Sequence, residues 1–131
     1  MTTWIIPCNV KYYDIIGAFE QLHRLNWKQS RKIEVGDEVY IYVGVPFKAI
    51  MFKCIVKKIN LPEIEIDDSQ FVIMGDKYLN YGNYMELELI QKFKEGQLKL
   101  EKLVENGLQG SVQGPRRADE SLLRLFHSMN S

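Results

Sequence analysis

At 131 residues the chain is long enough for one domain with a continuous core and short for two. Its 17 basic residues balance its 17 acidic ones, so overall charge offers no long-range attraction to a polyanion, and a nucleic-acid site would have to be local. The longest apolar run, Ala49 to Phe52 continued by Ile55 and Val56 past Lys53, is far too short to span a bilayer.

Met1-Thr2-Thr3-Trp4 lacks the basic segment and long apolar stretch of a secretion leader, so the expectation is a cytoplasmic protein. Thr3 to Cys8 reads as a first strand stopped by Pro7, followed by a polar connection from Asn9 to Tyr13. Asp14 is placed to cap a helix whose inner face is Ile15, Ile16, Phe19 and Leu22, with Gly17 as a cost to it. Trp27-Lys28-Gln29-Ser30 reads as a polar turn carrying an indole. Val35-Gly36-Asp37 is a tight turn, since Gly tolerates positive φ and Asp can bond nearby backbone. Val39, Ile41 and Val43 then alternate through a strand from Glu38 to Gly44, and Ile50, Phe52, Cys54 and Val56 through the next, which predicts a hairpin.

Leu61 to Asp68 predicts an exposed acidic loop without the spacing of a calcium-binding loop, and Phe71-Val72-Ile73 a brief strand or turn. Lys77 to Tyr84 is a turn-rich aromatic insert. Met85, Leu87 and Leu89 alternate with Glu86 and Glu88 as a half-buried strand. Leu100, Leu103 and Val104 predict a short helix ended by Gly107, with Leu108 touching Leu103 in a Schellman stop. After Pro115 a last helix, capped near Asp119, turns Leu122, Leu123, Phe126 and Met129 inward. Residues 1–131 thus predict a single α+β domain with a curved mixed sheet or small barrel and covering helices.

Enzyme signatures are poor. Cys8 and Cys54 lack CxxC spacing and sit in apolar surroundings, as buried structural thiols do, while His23 and His127 are too isolated to suggest a metal pair. No nucleophile elbow, P-loop or HxE zinc motif appears, so neither catalysis nor a cofactor is expected. Trp27 has two readings, a ring that stacks on a base or a lid packed on the core. Under the first, Gln29 and Ser30 supply donors and acceptors to a base edge, and Lys28, Arg31 and Lys32 neutralise phosphates; under the second those cations are solvated surface. Tyr78, Tyr81 and Tyr84 can supply a second wall or simply pack across the barrel end. Gln113-Gly114-Pro115-Arg116-Arg117 places two cations beside an approachable backbone, or is an ordinary solvated turn.

Trp4-Ile5-Ile6-Pro7-Cys8-Asn9, Gln29, Gly36-Asp37 and Tyr40-Ile41-Tyr42 follow one another in an order that resembles the EVE domain. That domain belongs to the PUA-like group, together with the YTH readers of methylated adenine. The likeness covers the first half of the chain and fades after Leu61. Pro7-Cys8-Asn9 stands where Ser-Glu-Pro is usual, which removes an acidic residue from the pocket. Val112 to Arg117 is similar to a loop in EVE-like domains that accompany HNH nucleases in modification-dependent restriction. The resemblance implies a nucleic-acid-binding module that accepts a flipped, modified base, with methylated or hydroxymethylated cytosine in DNA as first candidate and a nuclease as partner. The base would stack on Trp27 with Tyr42 or Tyr81 opposite, Asn9, Gln29 and Ser30 would read its edge, and Lys28, Arg31, Lys32, Gln113, Arg116 and Arg117 would hold the backbone. The rival reading is a small-molecule or nucleoside sensor, or a protein-interaction module, on the same barrel; zero net charge favours it.

Overall fold

The computed structural model describes residues 1–29, 32–62, 65–67, 69–73, 83–94 and 96–129. Ten elements follow one another among them. They are β1 (Thr3–Cys8), α1 (Ile15–Gln21), β2 (Arg24–Lys28), β3 (Glu38–Val43), β4 (Ala49–Leu61), a 3-10 turn (Ser69–Phe71), β5 (Tyr84–Lys92), α2 (Leu100–Glu105), β6 (Arg116–Arg117) and α3 (Glu120–Met129). The strands form one mixed sheet in the order β2-β5-β4-β3-β1-β6, with β1 and β3 parallel and the other pairs antiparallel. The parallel pair needs a crossover, which α1, β2 and the turn at Gly36 supply.

Alternation along the central strands sorts the core into two clusters, one on each face. Val39, Ile41 and Val43 of β3 join Trp4, Ile6, Phe52, Val56, Leu87 and the α1 side chains Ile15, Ala18 and Phe19. Tyr40 and Tyr42 point the other way, to Ile5, Ile50, Leu103, Leu122 and Phe126 under α2 and α3. Tyr40 stacks on Phe126 with ring centres 4.1 Å apart. The connection after β1 crosses the sheet face, so that Tyr13 meets Trp27 of β2 edge-on at 5.2 Å although several strands separate β1 from β2 in the sheet order. A register shift between Ile41 and Tyr42 opposite β4, and three more between β4 and β5, supply local bends of the kind that curl a sheet.

The predicted stops and caps form as expected. Asp14 Oδ1 accepts from the Gly17 N–H at 3.0 Å, and a Cβ at position 17 would run into that same carboxylate, so the glycine counted as a cost makes room for the cap. At the end of α2, the Leu108 N–H bonds the Leu103 carbonyl at 2.9 Å and the Gly107 N–H bonds that of Val104, with Gly107 at φ 105°. Asp119 Oδ1 caps α3 through the Leu122 N–H at 3.0 Å.

Several expectations are corrected. Pro7 does not stop the first strand: it lies within β1, in register with Tyr42, and the outer edge of β1 is paired only at Trp4 and Ile5, which leaves room for a residue without an N–H. Trp27 lies in a strand rather than a turn. Leu25 and Trp27 are inward, Asn26 between them is buried on the other face, and Arg24 and Lys28 at the two ends are exposed. Glu86 is buried, not solvated, because Arg24 reaches across from β2 to Glu86 and Glu88. In α3 it is Leu125 that is buried, while Leu123 is half-buried.

Candidate nucleic-acid interface

Trp27 is 7% exposed, and the Tyr13 ring meets it at an interplanar angle of 82°. The indole is therefore part of the core, and a base reaches its face only if neighbouring chain moves aside. Tyr42 belongs to the cluster on the opposite face of the sheet, so a base held against Trp27 cannot also stack on Tyr42. Tyr13 is the aromatic partner the fold provides instead. Ser30, Arg31 and Tyr81 lie outside the described residues.

Gln29 directly follows β2, and its side chain is bound at both ends to the bent end of β4. Its Nε2 donates to Asn60 Oδ1 at 3.0 Å, and its Oε1 accepts from the Asn60 N–H at 2.6 Å. Asn60 and nearby Lys32 both take left-handed backbone, at φ 60° and 62°, a conformation that side-chain-bearing residues adopt sparingly and that clusters at binding sites. Lys28 and Lys32 are exposed beside this clamp. On the outer face of β2, Asn26 is buried and its Oδ1 accepts from the Glu65 and Ile66 N–H groups at 2.6 and 2.8 Å, pinning the acidic loop down. Two N–H donors fix that amide's orientation, and among the described residues Asn26 Nδ2 has no hydrogen-bond partner.

The remaining predicted residues sit elsewhere. Asn9 is exposed, and its Oδ1 takes the Lys11 N–H at 2.9 Å in a local turn, so its acceptor is already used. Gln113 is exposed. Arg116 and Arg117 form β6 at the sheet edge remote in strand order from β2: Arg116 Nη1 donates to the Gln109 carbonyl at 2.7 Å, and the Arg117 guanidinium lies over the Trp4 ring at 5.4 Å. The fold thus gathers Trp27, Lys28, Gln29 and Lys32 at one end and does not bring Asn9, Tyr42 or the Arg pair into contact with them. Sequence reasoning missed Tyr13, Asn26 and Asn60. Asn26 shares the polar side of β2 with Arg24 and Lys28 and is buried by the Glu65–Ile66 segment that folds over it, and Tyr13 and Asn60 are likewise brought in by contacts distant in sequence, so none of the three carries a local signal.

The titratable groups near the sheet are committed to structure. Burial alone would raise the Asp37 carboxyl, but N–H donors from Thr2, Trp4 and Glu34, with the N-terminal ammonium, hold it below its ordinary value. The Trp4 indole bond to Asp37 is 2.9 Å. Burial would lower the Lys53 ammonium, yet its 2.9 Å pairing with Glu38 and its proximity to Tyr40 raise it instead. Burial pushes the Cys8 thiol up to about 12 with help from Asp14, and pushes Cys54 up as well. Among the described residues no group of three or more His, Cys, Asp or Glu side chains is arranged to hold a metal ion.

No known family pattern matches the sequence. No curated protein matches it either. Solved structures do: the chain superimposes on a tyrosine-to-phenylalanine variant of an ASCH protein from Zymomonas mobilis with a TM-score of 0.70 and 11% identity, covering 100% of both chains. The fold is PUA-like. A protein from Pseudomonas syringae gives a TM-score of 0.67 at 15% identity over 97% of this chain and 98% of that one. A Pseudomonas putida protein gives 0.64 at 17% identity, again over 97% and 98%. At such identities the likeness is one of overall architecture, and the surface chemistry is free to differ. No helix of the described residues is long and apolar enough to cross a membrane.

Proposed function

We propose that this PUA-like chain is a nucleic-acid-binding module that accepts an extruded, modified base at the Trp27 end of its curved sheet. The observation that carries the reading is the grouping at that end: an aromatic pair, Trp27 and Tyr13, beside the Gln29–Asn60 amide clamp, with Lys28 and Lys32 exposed alongside. Base stacking on an aromatic ring contributes about 1–3 kcal/mol, and the Gln29 amide, with one N–H and one lone pair engaged by Asn60, keeps a second of each for an unpaired base edge. Methylation enlarges the apolar face of a base while keeping much of its edge, so an aromatic site favours it; methylated or hydroxymethylated cytosine in DNA is the first candidate. The EVE-like order of residues in the first half of the chain, and the nuclease partner it implies, belong to this same reading.

The module binds without catalysing. Lys53, a half-buried lysine, is kept protonated by Glu38 and Tyr40, the reverse of what a general base or an amine nucleophile needs. Both thiols are held protonated by burial. A second reading, a nucleoside sensor on the same site, is favoured by the low exposure of Trp27, which suits a small ligand enclosed by the chain better than a long polymer.

The test is a panel of short oligonucleotides carrying single modified bases, titrated by fluorescence anisotropy at stated salt, beside the matching free nucleosides. Tighter binding of one modified oligonucleotide, lost in Gln29→Ala, is the expected result. Equal affinity for every oligonucleotide sinks the base-reading proposal, and free nucleoside binding as well as oligonucleotide moves the conclusion to the sensor.

A further inference from the structure

The hairpin between β3 and β4, the segment after β5 and the turn after β1 meet at one end of the sheet and carry lysines far apart in sequence. Lys48 closes the hairpin with left-handed backbone, φ 48°, and is exposed. Its carbonyl accepts from the Leu100 N–H at 2.8 Å, and Ala49 bridges Lys99, so Lys48 and Lys99 are neighbours. Lys92 is in register with Phe52, and the Phe93 N–H bonds the Met51 carbonyl, which brings Lys92 and Lys94 alongside the same start of β4. The Gly44 N–H bonds the Cys8 carbonyl, so the turn that carries Lys11 adjoins the hairpin. All five lysines are exposed, and no ion pair of the described residues engages them; Glu101 of α2, two residues from Lys99, is an exposed acid at the same end.

The geometry points to this lysine ridge as a docking surface for the phosphate backbone of a nucleic acid. A chain with zero net charge that concentrates cations from three separate segments at one end creates the local field its composition as a whole does not. Ammonium groups on flexible stems bind phosphates as point charges and carry no sequence preference, so this surface supplies affinity and orientation. The inference rests on the nucleic-acid reading above and relocates the main backbone contacts away from Lys28 and the Arg116–Arg117 edge.

The experiment compares the full chain with a triple variant, Lys48→Ser, Lys94→Ser and Lys99→Ser, and with a charge-matched control, Lys57→Ser, Lys58→Ser and Arg124→Ser. Each is titrated with modified and unmodified oligonucleotides across a salt series, with thermal melts to establish folding. The ridge variant is expected to bind both oligonucleotides on the order of tenfold more weakly, with the slope of log affinity against log salt shallower by about 2 to 3, while the control keeps the original slope. Should the ridge variant keep its slope, or the control lose as much, the ridge is not the docking surface. Wild-type protein that binds vesicles of anionic lipid but no oligonucleotide overturns the inference too. Loss of slope in the ridge variant with no preference for any modified base supports the ridge and rejects only the base pocket.

Discussion

Asp37 shows how one side chain can organise a whole edge of this fold. The Gly36 turn aims its carboxylate back at the first residues of β1, where it collects the Thr2 and Glu34 N–H groups at 2.9 and 3.0 Å and the Trp4 indole at 2.9 Å. The Gly-Asp pair was legible in the sequence as a turn, yet nothing local announced that its carboxylate would be a buried acceptor 33 residues from its indole partner. Because the folded carboxyl is held below its unfolded value, its contribution to stability is present above the ordinary carboxylate range and is lost as the pH falls through the folded value. Asp37→Asn should therefore lower the urea midpoint at neutral pH, by about 1–3 kcal/mol of unfolding free energy, and the gap to wild type should close on acidification. A gap that stays constant down to acid pH would mean that the charge of Asp37 contributes nothing. Trp27 illustrates the opposite difficulty. Its polar neighbours suggested a turn, and only the register with Met85 shows a buried strand residue whose ring faces Tyr13.

Among the elements, the helices were the most legible, because caps and stops are local chemistry. The α2 stop required only a glycine after the last helical turn and a leucine behind it, and both bonds of the Schellman motif are present. Gly107→Ala places a Cβ in left-handed backbone and 3.4 Å from Ser121 Cβ, so it should destabilise the chain by roughly 1–2 kcal/mol in thermal or urea unfolding. An unchanged midpoint would show that α2 does not depend on this stop. The β3–β4 hairpin was equally readable from alternation. The full length of β4 was not, since Lys57 to Asn60 carry polar residues on both faces where the strand curls beyond the core. The short β2 was missed for a related reason: five residues with polar positions between Leu25 and Trp27 look like a connection until β5 pairs with them.

For the molecule as a whole, the α+β class and the core positions Ile41, Phe52, Val56 and Leu87 followed from periodicity; of the two expected forms, curved mixed sheet or small barrel, the sheet is mixed and does not close. The placement of the candidate site did not follow from periodicity. The connection from β1 to α1 puts Tyr13 against Trp27, the pleat of β3 turns Tyr42 to the other face, and the Ala49–Lys99 bridge with the Phe93–Met51 bond sets Lys48, Lys94 and Lys99 at one end. Such proximities come from strand pairing and crossover topology, which leave no signature in neighbouring residues. On the proposed reading the base lies at Trp27 and the phosphates along the lysine ridge. NMR of the two indole N–H resonances, assigned through a Trp27→Phe spectrum, tests the first claim most directly. On titration with an oligonucleotide carrying methylated cytosine, the Trp27 resonance should shift progressively to saturation while that of Trp4, bonded to Asp37, stays in place. Binding that saturates by anisotropy with the Trp27 resonance unmoved would contradict the account.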